Sequence, residues 1–199
     1  MDAQALSISG FTPFTTIDYP GKLSAVVFCR GCLWKCPYCH NADLQAFGNG
    51  EILWESVFAF LQKRAGLLSA VVFSGGEPTA QATLPAAMRE AKALGYAIGL
   101  HSAGMIPERF SQALELADWV GFDIKAPFGN AYDFIAGKAG ASEAALSSLK
   151  QLLASNKPYQ LRTTVDPALL SKDDIETINR QLAELGAPPT LQQSLNALA

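Results

Sequence analysis

The sequence predicts an α/β fold, an open, partial (βα)6 barrel whose strands run parallel within a single domain. Short apolar runs rich in β-branched residues alternate along the chain with amphipathic stretches of about 10–15 residues, and this alternation is typical of βαβ units. About six such strands can be counted. A closed eight-stranded barrel typically needs about 250 residues. The chain has 199, so an open sheet fits its length better.

The predicted strands are the apolar runs that lie between turn residues. In chain order they cover residues 24–28, 70–73, 96–100, 119–124, 159–165 and 190–193. Residues 8–20 contain glycine and proline, and we expect them to pack as a hairpin or loop at one end of the sheet. The chain is therefore divided into an N-terminal extension (1–22), the partial barrel (23–193) and a short tail (194–199).

The predicted helices lie between these strands and show apolar residues at helical spacing. The first helix shows the pattern in Trp54, Val57, Phe58 and Leu61. Further helices are expected over residues 84–91, 107–116, 141–154 and 171–185. Pro107 suits a first helical turn, and Ser171 with Asp174 resembles a capping box at the start of the last helix.

Composition and charge exclude several classes of function. The formal net charge is -3 and no basic run is present, which argues against a nucleic-acid partner or an anionic membrane surface. The N-terminus shows neither the basic region nor the following apolar core of a signal peptide. No apolar run approaches the ~18 residues that a membrane span needs. We expect a cytoplasmic protein. All four cysteines lie between positions 29 and 39, which favours metal or redox chemistry over a disulfide framework.

Polar groups recur where the predicted strands end. Because the carboxyl ends of parallel strands meet at one rim, these groups are expected to form one site. In strand order they are the cysteines, Ser74 to Thr79, His101 to Gly104, Asp123 with Lys125, and Arg162 on the fifth strand.

Three closely spaced cysteines are the strongest chemical signal. Thiolates at Cys32, Cys36 and Cys39 can hold three corners of a cubane [4Fe–4S] cluster and leave its fourth iron open for a small molecule. Cys29 could be a fourth ligand, but its place at a strand end favours a small buried side chain. A zinc site completed by Cys29 or His40 is the alternative. The spacing favours the cluster, because zinc modules usually bring a second, separate pair of ligands.

The second signal is the run Gly75-Gly76-Glu77-Pro78. Glycines at a strand end let the backbone approach a ligand closely, and carbonyls with a carboxylate suit an ammonium group. A plain turn between strand and helix is the alternative for the two glycines alone.

Together these residues resemble the radical S-adenosylmethionine (radical SAM) superfamily. Its hallmark is Cys-x3-Cys-x2-Cys with an aromatic residue before the last cysteine, which Cys32, Cys36, Tyr38 and Cys39 match. Residues 75–78 match its strand-two motif. Within the superfamily the chain resembles activating enzymes of glycyl radical enzymes, and most of all those of anaerobic ribonucleoside-triphosphate reductase. That likeness lies in residues 10–23, 28–32, 39–41, 101–104, 123–125 and 161–165.

The resemblance implies a reaction and its partners. S-adenosylmethionine would be cleaved reductively at the cluster, and the 5′-deoxyadenosyl radical would take a hydrogen atom from a glycine of a partner protein. That partner would be a glycyl radical enzyme such as the large subunit of anaerobic ribonucleotide reductase. Flavodoxin or ferredoxin would supply the electron.

The resemblance also implies roles for individual residues. Tyr38 would lie near the adenine, and Gly75, Gly76 and Glu77 would hold the amino group. Ser102 would make a polar contact to the cofactor, Asp123 and Lys125 match an Asp-x-Lys motif, and Arg162 would meet the methionyl carboxylate or the ribose. An ordinary ion pair remains the alternative for Asp123 and Lys125, and packing remains one for His101.

Two departures from the family pattern bear on function. Some activating enzymes carry Asp-Thr-Asn-Gly after the third strand, where the aspartate helps to bind a monovalent cation, whereas this chain has His101-Ser102-Ala103-Gly104. Residues 194–199 do not continue the family's last-strand motif. Two rival functions stay open: a radical SAM enzyme with a small-molecule substrate, and a zinc-stabilised binding module without catalysis.

Overall fold

The computed structural model describes residues 2–194 and contains a sheet of seven strands joined by six α-helices and short 3-10 turns. The strands are β1 (Ile8–Thr15), β2 (Ser24–Cys29), β3 (Ala70–Gly75), β4 (Ala97–Ser102), β5 (Trp119–Asp123), β6 (Tyr159–Val165) and β7 (Leu191–Ser194). The helices are α1 (Trp54–Arg64), α2 (Leu84–Ala93), α3 (Pro107–Leu116), α4 (Asn130–Ala136), α5 (Ala141–Ala154) and α6 (Lys172–Glu184).

The strands lie in the sheet in the order in which they occur in the chain, from β1 at one edge to β7 at the other. β2 to β7 are parallel, and β1 pairs antiparallel with β2. The sheet is open and does not close into a barrel, as the sequence predicted. All carboxyl ends of β2 to β6 therefore point to the same rim.

The two faces of the sheet bury different sets of side chains. Val27, Val71 and Phe73 belong to the large core beneath the helices, whereas Val26 and Val72, one residue away, point to the opposite face. On that second face they pack with Tyr19 and Trp119, whose ring centroids are 5.2 Å apart. Trp119 of this cluster also contacts His101, with ring centroids 5.6 Å apart, which places the cluster next to the polar groups at the rim.

The sequence analysis did not predict α4, and it expected residues 8–20 to pack as a hairpin or loop; the hairpin is the form observed, because β1 pairs antiparallel with β2. Ile8–Thr15 is a strand paired with β2, so the sheet has seven strands where about six were expected. The predicted capping box is confirmed, because Ser171 and Asp174 exchange side-chain and backbone hydrogen bonds at the start of α6. Of the expected tail, residues 194–199, Ser194 is the last residue of β7, and residues 195–199 lie outside the described part of the chain. No helix within residues 2–194 has the length and apolar character needed to cross a lipid bilayer.

Candidate functional site

A cavity of about 510 Å³ opens at the carboxyl ends of β2 to β6. It brings together the residues that the sequence analysis assigned to the cluster and to S-adenosylmethionine. These are Cys32, Cys36, Tyr38, Cys39, Gly75, Gly76, Glu77, Ser102, Asp123, Lys125 and Arg162. Residues from five strand ends thus share one site, as expected for parallel strands.

The cysteine loop, residues 30–41, forms one wall of this cavity. Cys32, Cys36 and Cys39 are partly exposed and line it, whereas Cys29 is fully buried in β2. Backbone hydrogen bonds hold the loop from both sides. The N–H of Cys32 donates to the carbonyl of Gln45 at 3.0 Å, and the N–H of Lys35 donates to the carbonyl of Ala136 at 2.8 Å.

The thiols of Cys32 and Cys36 keep their protons unless a metal displaces them. Burial raises the pKa of Cys32 to about 12. It also raises the pKa of Cys36, although the nearby Lys125 ammonium opposes the shift. Metal binding at these thiols therefore releases protons. Within residues 2–194, no three Cys, His, Asp or Glu side chains converge on a point that a single metal ion could occupy.

The glycine loop, residues 75–77, packs backbone against backbone on the cysteine loop. The N–H of Gly76 donates to the carbonyl of Cys29, and the N–H of Glu77 donates to the carbonyl of Gly31, both at 2.9 Å. Gly75 has φ +114°, and a Cβ there would collide with the backbone of Cys29. A Cβ on Gly76 would lie 2.6 Å from the carbonyl oxygen of Gly31. Both glycines are therefore required by this close approach.

The Glu77 carboxylate is buried and bound by protein donors. It is 1% exposed. Its Oε1 accepts from the Thr79 N–H and hydroxyl and from the Ser102 hydroxyl at 2.8 Å, and its Oε2 accepts from the Ala103 N–H at 2.9 Å. Burial raises the pKa of Glu77, while these donors oppose the rise. The carboxylate thus ties the glycine loop to the end of β4. The loop's backbone carbonyls each keep a lone pair for a ligand, although that of Glu77 accepts from the Ala80 N–H at 3.0 Å and that of Gly75 accepts from Asn41 Nδ2 at 3.4 Å.

Asp123 lies between two cations, Lys125 and Arg162, and these three cavity-lining residues are called the Asp123 charge group. Asp123 Oδ1 accepts from Arg162 Nε at 3.0 Å, and its Oδ2 lies 3.2 Å from Lys125 Nζ. Although burial opposes it, the two positive charges lower the pKa of Asp123 to about 2. The ion pair weighed as an alternative for Asp123 and Lys125 is therefore present, and both side chains also line the cavity.

His101 holds the segment that follows β1, at Asp18, next to the Asp123 charge group. Its Nε2 lies 2.9 Å from the carbonyl oxygen of Asp18, so the nitrogen carries the proton and donates it. Arg162 Nη1 lies 3.3 Å from the same nitrogen. Burial first, and then the Arg162 charge, lower the pKa of His101 to about 3. His101 is therefore a neutral, hydrogen-bonded residue of the cavity wall.

Two aromatic side chains of the cysteine loop, Tyr38 and Trp34, are held in place by contacts with residues outside the loop. The Tyr38 hydroxyl donates to the carbonyl of Lys125 at 3.1 Å. Trp34, which lies between Cys32 and Cys36 in the loop, is 1% exposed and lines the cavity. Its ring meets that of Tyr132 in α4 edge to face, with centroids 5.7 Å apart.

Three residues of the site were not singled out from the sequence. Ile17 and Asp18 reach the cavity from the segment after β1, and Asn41 Nδ2 donates to the carbonyl of Gly75 at 3.4 Å. The available signal was the family resemblance itself, which includes residues 10–23 and 39–41. Nothing in the local pattern of these segments indicates that they meet the glycine loop and β4.

Comparison with known proteins agrees with this geometry. The family model described as the radical SAM superfamily matches residues 26–185. A Methanocaldococcus jannaschii protein, whose name proposes that it activates a glycyl radical enzyme, is 33% identical over 184 residues, which cover 89% of this chain and 75% of that protein. The pyruvate formate-lyase-activating enzyme of Streptococcus mutans is 27% identical over 177 residues, covering 81% of this chain and 65% of the enzyme.

Solved structures support the fold. The structure of QueE from Escherichia coli superposes with a TM-score of 0.53 at 15% identity and covers 94% of this chain and 93% of that one. The chain thus spans about two thirds to three quarters of the length of the two curated relatives described above and nearly all of QueE.

Proposed function

The chain belongs to the radical SAM superfamily, and from this we propose that it is an activating enzyme that installs a glycyl radical on a partner enzyme. The superfamily uses a [4Fe–4S] cluster and S-adenosylmethionine. The observation that carries the proposal is the shared cavity, where the three thiols of the cysteine loop face the glycine loop and the Asp123 charge group.

The donor set fits a [4Fe–4S] cluster. Three thiols on one loop face the cavity while the fourth, Cys29, is fully buried in β2. We therefore assign Cys32, Cys36 and Cys39 as ligands, which leaves one iron open to the cavity. Cys29 is assigned a packing role.

S-adenosylmethionine would occupy the space between the glycine loop and the Asp123 charge group, which line the same cavity. The backbone carbonyls of Gly75, Gly76 and Glu77 would accept from its amino group, because the Glu77 carboxylate is already bound within the protein. Ser102 and Tyr38 line the same walls and would contact the cofactor, Tyr38 near the adenine. Lys125 and Arg162 would meet its carboxylate or ribose, with Asp123 orienting both.

When bound, the reduced cluster would supply the one electron that cleaves S-adenosylmethionine to methionine and a 5′-deoxyadenosyl radical, and that radical would take a hydrogen atom from a glycine Cα of the partner, giving 5′-deoxyadenosine and the glycyl radical. A protein partner is supported by Ile17, an apolar side chain that lines the cavity and is 83% exposed. Anaerobic ribonucleotide reductase is the partner we propose, on the resemblance of residues 10–23. Flavodoxin or ferredoxin is the proposed donor and the cytoplasm the proposed compartment. All roles are assigned to one domain over residues 1–199.

Anaerobic reconstitution tests this function. With iron, sulfide and a reductant, the protein is expected to release 5′-deoxyadenosine and, with the reductase subunit, to give the glycyl radical signal in electron paramagnetic resonance. Cys32→Ala, Cys36→Ala and Cys39→Ala should each abolish cluster assembly, whereas Cys29→Ala, the matched control, should retain it.

Each alternative has its own outcome in this experiment. Nucleoside release without a glycyl signal from any glycyl radical enzyme would favour a small-molecule substrate. Bound zinc, with no iron or sulfide taken up, would instead identify a non-catalytic module and overturn the proposal.

A further inference from the structure

The chain turns at the end of β4, from Ser102 to Met105, and this β4 turn forms part of the cavity wall. Ser102, Ala103 and Met105 line the cavity. Ser102 and Ala103 also donate hydrogen bonds to the carboxylate of Glu77. Gly104 gives the turn its shape, because its φ of +68° lies in a region that residues with a side chain rarely adopt. The conformation at this glycine therefore sets the position of three cavity residues and of two donors to Glu77.

A serine of α5, Ser148, holds the β4 turn from outside the cavity. Its hydroxyl donates to the carbonyl of Gly104 at 2.7 Å, and the Gly104 N–H donates to the Ser102 hydroxyl at 2.9 Å. The backbone of Gly104 is thus fixed at both its N–H and its carbonyl. The two elements also pack closely, because a Cβ on Gly104 would lie 2.5 Å from the Cβ of Ser148. Ser148 is fully buried and is not among the residues that line the cavity.

The helix that carries Ser148 does not explain its hydroxyl. The other buried residues of α5 are all apolar, namely Ala141, Ala145, Leu149 and Leu152. Alanine would fill nearly the same space at this position and has the higher helix propensity. A serine inside a helix commonly donates to the carbonyl four residues earlier, whereas this one donates to Gly104, 44 residues away in sequence. The hydroxyl therefore serves the β4 turn and not the helix.

A continuous path of hydrogen bonds connects Ser148 to the glycine loop. It passes through Gly104 to the Ser102 hydroxyl, which donates to Oε1 of Glu77 at 2.8 Å, and Glu77 is itself a residue of the glycine loop. All three bonds are buried, so the loss of one partner leaves the other group unpaired and away from water. A change at Ser148 is therefore expected to reach the glycine loop.

We propose that Ser148 is a positioning residue for S-adenosylmethionine, because by fixing Gly104 it holds the β4 turn and the glycine loop in the arrangement that binds this cofactor. The inference rests on the proposed function, in which these two segments contact S-adenosylmethionine. Ser148 lies outside the cavity, so its effect is on binding and not on the reaction of the bound cofactor. Loss of its hydroxyl removes the same binding energy before and during the reaction, which raises the Michaelis constant and leaves kcat unchanged.

The test compares two serines of α5 that each donate to a backbone carbonyl. Ser148→Ala removes the bond to Gly104. Ser155→Ala is the matched control, because it removes a hydroxyl at the end of the helix that donates to the carbonyl of Leu152 at 2.6 Å, away from the cavity. In equilibrium dialysis of the reconstituted protein without reductant, the dissociation constant of labelled S-adenosylmethionine should be about fivefold higher in Ser148→Ala, which is about 1 kcal/mol at 1.4 kcal/mol per tenfold. Ser155→Ala should bind as the wild type does.

Nucleoside release at increasing concentrations of S-adenosylmethionine separates binding from reaction. Under reducing conditions, Ser148→Ala should show a Michaelis constant about fivefold higher than that of the wild type, with kcat retained. A lower kcat with an unchanged Michaelis constant would place the effect in the reaction step and overturn the inference. Equal increases of the dissociation constant in Ser148→Ala and Ser155→Ala would indicate a general loss of stability and would overturn it as well.

Hydrogen exchange of the full chain before reconstitution tests the geometry without any cofactor. In Ser148→Ala the N–H groups of Ala103 and Gly104 should exchange about fivefold faster than in the wild type, because the β4 turn opens more readily without the hydroxyl. In Ser155→Ala the exchange of these two groups should be unchanged. Wild-type exchange rates in Ser148→Ala would show that the serine does not hold the turn, and the proposed role would be lost.

The two proposals fail in different ways. A wild-type protein that assembles no cluster or does not cleave S-adenosylmethionine overturns the proposed function, and this inference with it. A wild type that does both, but binds S-adenosylmethionine no more tightly than Ser148→Ala does, overturns the role of Ser148 alone.

Discussion

The hydroxyl of Tyr38 donates a hydrogen bond of 3.1 Å to the backbone carbonyl of Lys125. This bond connects the cysteine loop to the chain just beyond β5, 87 residues away in sequence. Lys125 in turn pairs with Asp123, which binds Arg162 on β6. The wall that carries the thiols and the wall that carries the charges are therefore mechanically connected.

Loss of the hydrogen bond between Tyr38 and Lys125 should weaken cofactor binding more than it destabilises the fold. Tyr38→Phe keeps the ring and is expected to lower the free energy of unfolding by about 1 kcal/mol, the usual value of one hydrogen bond. The Michaelis constant for S-adenosylmethionine should rise several-fold in assays of nucleoside release. Tyr96→Phe is the matched control, because it removes a hydroxyl that donates to the carbonyl of Leu61 at 2.7 Å, away from the cavity. It should cause a similar loss of stability and no change in the Michaelis constant for S-adenosylmethionine. Equal Michaelis constants in Tyr38→Phe and Tyr96→Phe would show that the Tyr38–Lys125 bond does not connect the cysteine loop to the cofactor site.

The glycine loop should tolerate no side chain at Gly75. Gly75→Ala combines a positive φ with a collision against the backbone of Cys29, and we expect it to destabilise the protein by more than about 3 kcal/mol and to prevent cluster assembly. Gly95 also has a positive φ, but a Cβ there would meet open space. Gly95→Ala should therefore cost only about 1–2 kcal/mol, the strain of the backbone alone. Urea unfolding measures the loss of stability, and iron content measures cluster assembly. Equal losses in Gly75→Ala and Gly95→Ala would contradict the close approach of Gly75 to the backbone of Cys29.

Acid should weaken the fold through His101. Its pKa is about 3 when folded and about 6.5 when unfolded, so below pH 6.5 the unfolded chain binds more protons and stability falls as the pH is lowered towards 3. Between pH 7 and pH 5 the expected loss from this residue is about 2 kcal/mol. In urea unfolding, His101→Gln should remove that part of the pH dependence, whereas His40→Gln, at an exposed position, should not. A wild-type slope retained in His101→Gln would disprove this assignment.

The sequence predicted the strands and the shared site for a physical reason. Apolar periodicity located the parallel strands closely, and the strand over Tyr159–Val165 and the helix over Ala141–Ala154 have the bounds that were expected. Once the strands are parallel, their carboxyl ends must meet, so the named site residues could be placed at one rim without knowledge of their contacts.

Contacts made at long range in sequence could not be predicted in this way. Helix α4 has seven residues between Gly129 and Gly137, too few for a strong periodic signal, and it is held by its packing on the cysteine loop. The role of Glu77 was likewise hidden, because its donors Ser102 and Ala103 lie 25 and 26 residues away on another strand end. A free carboxylate was the simplest expectation from the motif alone.

The Asp123 charge group should be more important for stability than a surface ion pair. Asp123→Asn removes the negative charge between Lys125 and Arg162 and leaves two largely buried cations facing each other, so the free energy of unfolding should fall by about 3 kcal/mol. The folded pKa of about 2 lies below the unfolded value of about 3.9, so the difference from wild type should persist from pH 7 down to about pH 4 and shrink at lower pH. Lys92→Gln is the control, because the Lys92–Asp118 pair is exposed and should contribute less than about 1 kcal/mol. Similar losses in the two variants, measured by urea unfolding, would mean that Asp123 is solvated like a surface residue and does not hold the two cations in place for the cofactor.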